Sequence, residues 1–582
     1  MKEAINMKKL VYIACFCLPS FVALAQGDVT LYGTADREVE PAYRIALTPR
    51  VVDTTIPMTT VDYPLLALKY PTSTDLEKIN PSMLKINPKL PKLYNTYVKL
   101  GIGSELMPLG EIYFDATRSR KYMYGAHLKH LSSFGNLPNY APAQFDRTKF
   151  NLYGGVNQRR YTMRGDLHYN NQGLHHYGVR SFIADSLGLT KDSIAQRYND
   201  FGFDLSFAHH KKDSGHLNLG IDFAYNWYAS KKPDAAYNPD WRARENYFNL
   251  TPNGYYQMGI HLLEGALDIE HNSYKYGAFG VLDTSYVNSL DTAFARKNTI
   301  VRLLPSITSH SQDDRFKFKI GLDMTFDADD EKTRPRLYPI AEVKYSMFND
   351  IFIPYAGIKG GLTQASLKRI TNDNEFMLAN VHMQNESRYD FYGGFKGTIS
   401  KRIGFNIMGT YSSVKGLGMF VNDSTFSPGN KFDVLYDTAK VMVIEGSMYY
   451  QLKEKFKIDA IGRFNSYELN NNPYAWNRPA LELILRGSYN LFDKFLFNLD
   501  GTLEHGRKAL VYEAEDDVTL EDGILVKDLG FLADVNLGVE YRYNKRLSAF
   551  IQCNNIASQR YMRYHNTPVQ PFQVMGGITA RF

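Results

Sequence analysis

The sequence predicts an all-β fold, a transmembrane antiparallel β-barrel of about 22 strands preceded by a proline-rich irregular N-terminal extension. Three observations carry this. From Leu93 onward, apolar and polar residues alternate with period two in one run after another. The connections between those runs are in turn tight and long. The last segment, Pro571 to Phe582, alternates in the same way and stops on an aromatic. Successive side chains of a strand point to opposite faces, so this alternation describes a wall with lipid on one side and water on the other.

The first 25 residues read as a signal peptide, with Lys8 and Lys9 ahead of the apolar stretch Leu10 to Ala23 and an A-x-A site at Ala23 to Ala25. Either Met1 or Met7 serves as the start, and Cys15 allows a lipoprotein reading that the short apolar run before it disfavours. Cys15 and Cys17 leave with that peptide, so Cys553 remains alone and no disulfide framework is expected within the mature chain. Residues 26–92 carry Pro41, Pro49, Pro57, Pro64, Pro71, Pro81, Pro88 and Pro91. Proline at that spacing breaks helices and ladders, so the stretch is expected to be extended or irregular, either periplasmic or threaded into the lumen.

Residues 93–582 form the expected barrel. In Phe316 to Phe326 the even positions (Phe316, Phe318, Ile320, Leu322, Met324, Phe326) face lipid and the odd ones (Lys317, Lys319, Gly321, Asp323, Thr325) face the lumen. Leu217 to Trp227 and Asp534 to Tyr543 repeat the pattern. Charges at the inward positions would be costly in a sandwich core but cost little beside water. Tight turns are expected at 158–160, 211–214, 348–350, 401–402, 453–454, 492–494 and 544–546, and long polar loops at 230–244, 274–296, 365–387, 419–437, 469–479 and 508–529. Short periplasmic turns with longer extracellular loops are the usual asymmetry of such barrels. The pattern does not place the turn between Pro252 and Gly259. In the final strand Phe572, Val574, Gly576, Ile578, Ala580 and Phe582 share the lipid face, and Phe572, Ile578 and Phe582 are the residues expected to close the barrel and signal its assembly.

Composition agrees. The chain has 42 Tyr and 35 Phe against 3 Trp, and no segment after the N-terminus has about 18 consecutive apolar residues, which excludes helical membrane spans. The net charge of +6 loses three positive charges and one negative with the signal peptide, leaving +4, too mild a balance to argue for nucleic acid.

The closing segment Asn555 to Tyr561 (NIASQRY), a loop bearing Pro568 and the strand ending Arg581-Phe582 resemble the end of the TonB-dependent receptors, and strand number and loop asymmetry fit the same family. The resemblance covers the barrel, residues 93–582, and implies an outer-membrane location, contact with outer-membrane lipid and lipopolysaccharide, delivery by the barrel-assembly machinery, and transport or reception of a nutrient. It departs from the family in the N-terminal region, where residues 26–92 are too few and too proline-rich for the family's plug domain. Asp28 to Leu31 (DVTL) reads either as a degenerate energy-coupling box, which would make TonB a partner, or as an ordinary β-forming tetrapeptide. A barrel of this width must be filled, by residues 26–92, by inward-folding extracellular loops or by a partner protein, and the first two acting together are expected.

No catalytic constellation is expected, and no cofactor or metal. His175-His176 and His209-His210 are adjacent pairs, which point to opposite faces on a strand, although the first pair is placed in a loop. Acidic runs at Asp327 to Glu331 and Glu513 to Asp517 read as solvated charge. Tyr474 and Trp476 in NNNPYAWNRP, with Trp241 and Tyr237 in the 230–244 loop, are the candidate loop contacts for a sugar or a protein, against the more ordinary reading that they belong to the outer aromatic girdle. Two functions follow: a transport or receptor barrel, or a plugless barrel serving as a scaffold or accessory subunit of an outer-membrane complex.

Overall fold

The computed structural model describes residues 93–582 apart from 117–118, 211–214, 232–240, 279–293, 330–331, 426, 513–517 and 522. The signal peptide, the extension 26–92, Tyr237 and the acidic run 513–517 lie outside the described residues.

Consecutive strands pair antiparallel with their neighbours, and the first, Thr96–Gly103, also pairs with the last, Gln573–Arg581. The wall is therefore closed, with 22 strands. At the seam Lys99 sits opposite Thr579 and Gly101 opposite Gly577. A Cβ on Gly577 would come within 2.6 Å of the Phe550 ring, so the glycine makes room for it. Lys99 Nζ lies 4.2 Å from the centre of that ring.

The alternation holds in three dimensions. Ile578 and Phe582 are 59% and 65% exposed on the outer face, whereas Met575 and Thr579 on the inner face are 5% and 2% exposed. Asp323 and Thr325 point inward and are buried, while Ile320 and Phe326 point outward and are exposed. Phe348, Phe492, Tyr543 and Phe582 are all exposed at the end where the short turns lie, which is the interfacial girdle expected of a membrane barrel. Several of those turns use left-handed backbone at non-glycine residues, among them Phe348, Asn349 and Asp350.

Both chain ends of the barrel lie at the short-turn end, since Leu547 and Ala580 are paired there beside the 543–546 turn. The long connections gather at the other end. One short turn joins them, between Gly103 and Met107, with Glu105 and Leu106 left-handed.

Some expected loops are shorter or more ordered than their composition suggests. Strands Ile403–Asn422 and Phe432–Leu452 run 20 and 21 residues, taking over most of the expected 419–437 loop. Strands also extend to Ala278 and from Phe294 into the expected 274–296 loop. The 508–529 loop contains a small sheet of its own, built from Lys508–Val511, Val518–Glu521 and Ile524–Asp528. Asp327 to Asp329 belong to strand Phe316–Asp329, and Asp327 faces inward and is buried, not solvated; Asp330 and Glu331 lie outside the described residues.

Prolines explain two irregularities. Strand Trp241–Met258 runs through Pro252 and turns at Gly259; its ladder to the next strand skips Thr251 and Pro252 while its other ladder continues. Proline has no N–H to donate on that side. The wall strand formed by Phe294–Leu303 and Ser306–His310 is broken at Leu304 and Pro305 for the same reason, and both halves pair with the same two neighbours.

Candidate functional site: a loop across the lumen

Residues 364–385 leave one wall strand at Thr363, cross the lumen and return to the next strand at Glu386. The two stems meet on one polar node. Gln364 Nε2 donates to Asn298 O (3.0 Å) and Asn298 Oδ1 (2.7 Å). Asn385 Nδ2 donates to Asn298 Oδ1 (3.2 Å) and Asp327 Oδ1 (3.0 Å), and its Oδ1 accepts from Ala365 N (3.0 Å) and Arg296 Nη2 (3.2 Å). Arg296 is itself held by Asp329 at 2.9 and 3.1 Å.

Between the stems the chain forms a short helix, which follows α1 (Ser181–Ser186) in sequence and is numbered α2, Leu367–Asp373. Ser366 caps it by accepting from Arg369 N at 3.2 Å, and the Glu245 carboxylate accepts from Leu367 N. These bonds satisfy backbone donors that the first helical turn leaves open. The apolar side of the loop, with Leu367, Ala379 and Met383, packs on Leu174, Tyr198, Tyr228 and Tyr274 of the facing wall. Each of those tyrosines also donates a hydrogen bond to the loop or shares one with it: Tyr228 Oη with Thr371 Oγ1 (2.6 Å), Tyr198 Oη to Met377 O (3.4 Å) and Tyr274 Oη to Ala379 O. Lys368 Nζ reaches Asp200 at 2.9 Å, and the Glu375 carboxylate takes Arg147 at 2.6 Å together with Gln172.

The tip is a second small core. Met377, Leu378 and Val381 are buried against Phe432 and Val434. Leu378 N donates to Phe432 O (2.9 Å) and Phe432 N to Phe376 O (3.0 Å). Another long loop bonds to this segment, and the long loops bond to one another. Tyr564 Oη donates to Asp373 O (2.7 Å), Tyr177 Oη to Pro568 O (2.9 Å), and Asn430 Nδ2 to His176 O (2.6 Å). His176 is 1% exposed, neither ring nitrogen has a hydrogen-bond partner, and its ring lies 6.3 Å from that of Phe376. Burial, and then the neighbouring Lys431 and His175, hold its imidazole neutral well below the usual histidine range.

Beneath α2 lies a cavity of about 620 Å³ whose walls include Glu245, Glu270, Arg302, Lys368 and Arg369. A second, of about 290 Å³, flanks the loop on the side of Arg388 and Arg478. The wall facing α2 presents Asp200, Glu245, Asp268 and Glu270, so the basic residues of the helix meet an acidic surface, and Arg302 bridges Asp268 and Glu270 at 3.3 and 3.2 Å. The arrangement obstructs the lumen with a folded segment rather than with a solvated loop.

The residues singled out in the sequence lie elsewhere. Phe572, Ile578 and Phe582 are on the outer face of the closing strand or at its ends. Trp476 is 1% exposed and packs with Met419, Val421 and Val526, so its ring is a core element and presents no face to a ligand. Tyr474 is engaged within the chain: its hydroxyl donates to Glu521, and Lys508 Nζ lies 3.7 Å from its ring centre. Trp241 opens a wall strand, and its side chain lies outside the described residues. His175 Nδ1 contacts Gln144 O at 2.5 Å, and the two histidines of that pair diverge. The stem and tip of the cross-lumen loop were missed because 365–387 reads as polar overall. Its apolar run Phe376 to Met383 was the available signal, since such a run is not left in water.

No protein-family model matches the chain, and no curated protein matches it. Solved structures do. Copper transporter OprC superposes with a TM-score of 0.61 at 10% identity, over 84% of this chain and 82% of that one. The pyoverdine outer membrane receptor FpvA from Pseudomonas aeruginosa PAO1 gives 0.60 at 12%, over 84% and 79%. The ferric yersiniabactin uptake receptor FyuA from Yersinia pestis gives 0.60 at 11%, over 84% and 80%. The chain is thus an outer-membrane β-barrel with the 22-strand fold of the TonB-dependent receptors.

Proposed function

We propose that this protein is a transport or receptor barrel for a nutrient, occluded on its extracellular side by the 364–385 loop. The observation that carries the reading is the loop itself: its stems are clamped on Asn298, its apolar side packs on the facing wall and its tip is buried against Phe432 and Val434, so passage requires that it detach. The fold shared with a copper transporter and a ferric yersiniabactin uptake receptor supports the transport class without specifying the nutrient. Replacing residues 366–384 by a short Gly-Ser linker tests it. Measured against a barrel lacking residues 27–90, the same barrel with the loop also replaced should show single-channel conductance in planar bilayers several-fold higher, and an unchanged conductance would refute occlusion by this loop.

The scaffold reading has its own support, because hydrogen bonds tie the described loops around His176, Asn430 and Pro568 to one another, giving a protein partner an ordered surface to meet. Stoichiometric co-purification of a partner, with no uptake defect on gene deletion, would favour it. Residues 26–92 are proposed to fill the lower lumen, and TonB coupling through Asp28 to Leu31 is proposed with them. Deleting residues 27–90 should raise conductance in the barrel whose 366–384 segment has been replaced, and energy-dependent uptake should be lost when Asp28 to Leu31 alone is scrambled.

A further inference from the structure

The charge facing α2 is supplied unevenly by wall and loop. Asp200, Asp204, Glu245, Asp268 and Glu270 stand on the inward face of four neighbouring strands, Ala195–His209, Asn218–Ser230, Trp241–Met258 and His261–Ala278, and no lysine or arginine occupies an inward position on them. Cations reach this wall from three places. His168 lies 3.7 and 3.8 Å from Asp200 and Asp204, Arg302 bridges Asp268 and Glu270, and α2 brings Lys368 and Arg369. Only the last two belong to the loop. Lys368 fills a seat with several partners: Asp200 is 7% exposed, its Oδ1 accepts from Lys368 Nζ at 2.9 Å and Asn226 Nδ2 at 2.5 Å, and its Oδ2 accepts from Asn170 Nδ2 at 2.9 Å. The cavity of about 620 Å³ is lined by Lys368 itself and by His168 and Asn226, both of which contact Asp200. That volume is in the range of small-molecule sites. Gln364 lines the same cavity and is 6% exposed; its Nε2 is engaged by Asn298, while its Oε1 accepts no hydrogen bond among the described residues. A buried acceptor without a donor, in the cavity of a carboxylate that already holds an ammonium, fits a ligand that donates hydrogen bonds and carries positive charge.

We infer that this cavity is a site for an organic cation bearing two ammonium groups, and that Lys368 occupies part of it as a competitor carried by the loop. The inference rests on the reading of 364–385 as a loop that detaches. When it detaches, Lys368 and Arg369 leave with it, and the five carboxylates are left facing only Arg302 and His168. A diamine restores the lost positive charge, so it binds the open arrangement better than the closed one and shifts the loop toward release. Among the described residues no three His, Cys, Asp or Glu side chains converge to hold a metal ion, which favours an organic cation.

Isothermal titration calorimetry of the detergent-solubilised full-length barrel tests this, with 1,8-diaminooctane, 1,8-octanediol and magnesium chloride as probes. The diamine should bind, and the diol, equal in length and uncharged, should not. Lys368→Gln removes the competitor and its charged hydrogen bond, and should bind the diamine about tenfold more tightly than the native protein. Asp200→Asn should bind it about tenfold more weakly. Equal binding of diamine and diol would overturn the inference, as would an unchanged affinity in Lys368→Gln. Displacement of the diamine by equimolar magnesium would also overturn it, by showing that any counter-charge serves. If Asp200→Asn fails to fold, Lys368→Gln decides, since its change lies on the loop and not in the wall. Conductance is a separate readout: an unchanged conductance after loop replacement would refute occlusion and leave these affinities as they stand.

Discussion

Replacing Asn385 by alanine should release the cross-lumen loop while leaving the barrel intact. The side chain is 8% exposed and makes four hydrogen bonds, two of them with the charged Asp327 and Arg296. Neutral bonds contribute about 1 kcal/mol each and bonds to charged groups about 1.5–3 kcal/mol. Bonds sharing one side chain are not additive, and water replaces some of them once the stem opens, so a net loss of about 3 kcal/mol is reasonable. At about 1.4 kcal/mol per decade, that raises the population of the detached loop about a hundredfold. Hydrogen exchange reads this directly. The amides of Ile370, Asn374 and Leu378, all bonded in the closed loop, should exchange about a hundredfold faster in Asn385→Ala, while wall amides such as that of Gly446 keep their protection. Acceleration below about threefold at those three amides would refute the view that the stem node holds the loop. Equal acceleration in the wall would show instead that Asn385 supports the barrel.

Three further outcomes are expected. His176 sits in the long-loop cap with its pKa depressed by burial, so the closed cap favours the neutral ring; closure is fully supported above the unfolded pKa near 6.5 and weakens as pH falls below it toward the depressed pKa of the closed cap. Exchange near Phe376 to Leu378, corrected for intrinsic rates, should therefore accelerate progressively as pH falls below about 6.5, and His176→Phe should abolish that dependence; a flat profile in the native protein refutes the assignment. Trp476→Ala should destabilise the extracellular packing around Met419 and Val526 by about 3–5 kcal/mol, measured as lost exchange protection in Lys508–Val511 and Ile524–Asp528, with the barrel's thermal transition unmoved. Phe582→Ala should lower the amount of folded barrel reaching the outer membrane several-fold, yet shift the melting of the purified protein little, because the ring is exposed to lipid and Thr96 is held through the backbone of residue 582. Equal yields would remove Phe582 from the assembly signal.

The wall was legible because its physics is local. Alternation in Phe316 to Phe326 fixes which side chains meet lipid, and the turns at 348–350, 453–454 and 492–494 fall where the alternation lapses. Pro252 hid a continuous strand, since a proline that costs one ladder bond on one side still permits the ladder on the other. The occluding loop was not legible in the same way. Its placement depends on Glu245, Tyr228 and Asn298, each more than sixty residues away in sequence, and on inward positions whose polarity is equally consistent with facing water. Tyr474 and Trp476 illustrate the same limit: aromatic residues in a loop serve a ligand or a local core, and only the arrival of Met419 and Val526 decides between them.

The unequal strand lengths set how the bilayer meets this barrel. At the seam the strands Thr96–Gly103, Leu547–Asn554 and Gln573–Arg581 have 8, 8 and 9 residues, whereas the far wall has 20 and 21. With a tilt near 45° the short wall stands about 20 Å high, against an apolar band of about 25 Å. The tall wall stands about 50 Å. Lipid tails are therefore compressed along one side of the barrel only, at a cost of fractions of a kcal/mol per Å. That elastic cost would fall if a second short-walled membrane protein shared the thinned patch, a force that acts in the plane of the membrane without any side chain recognising the neighbour.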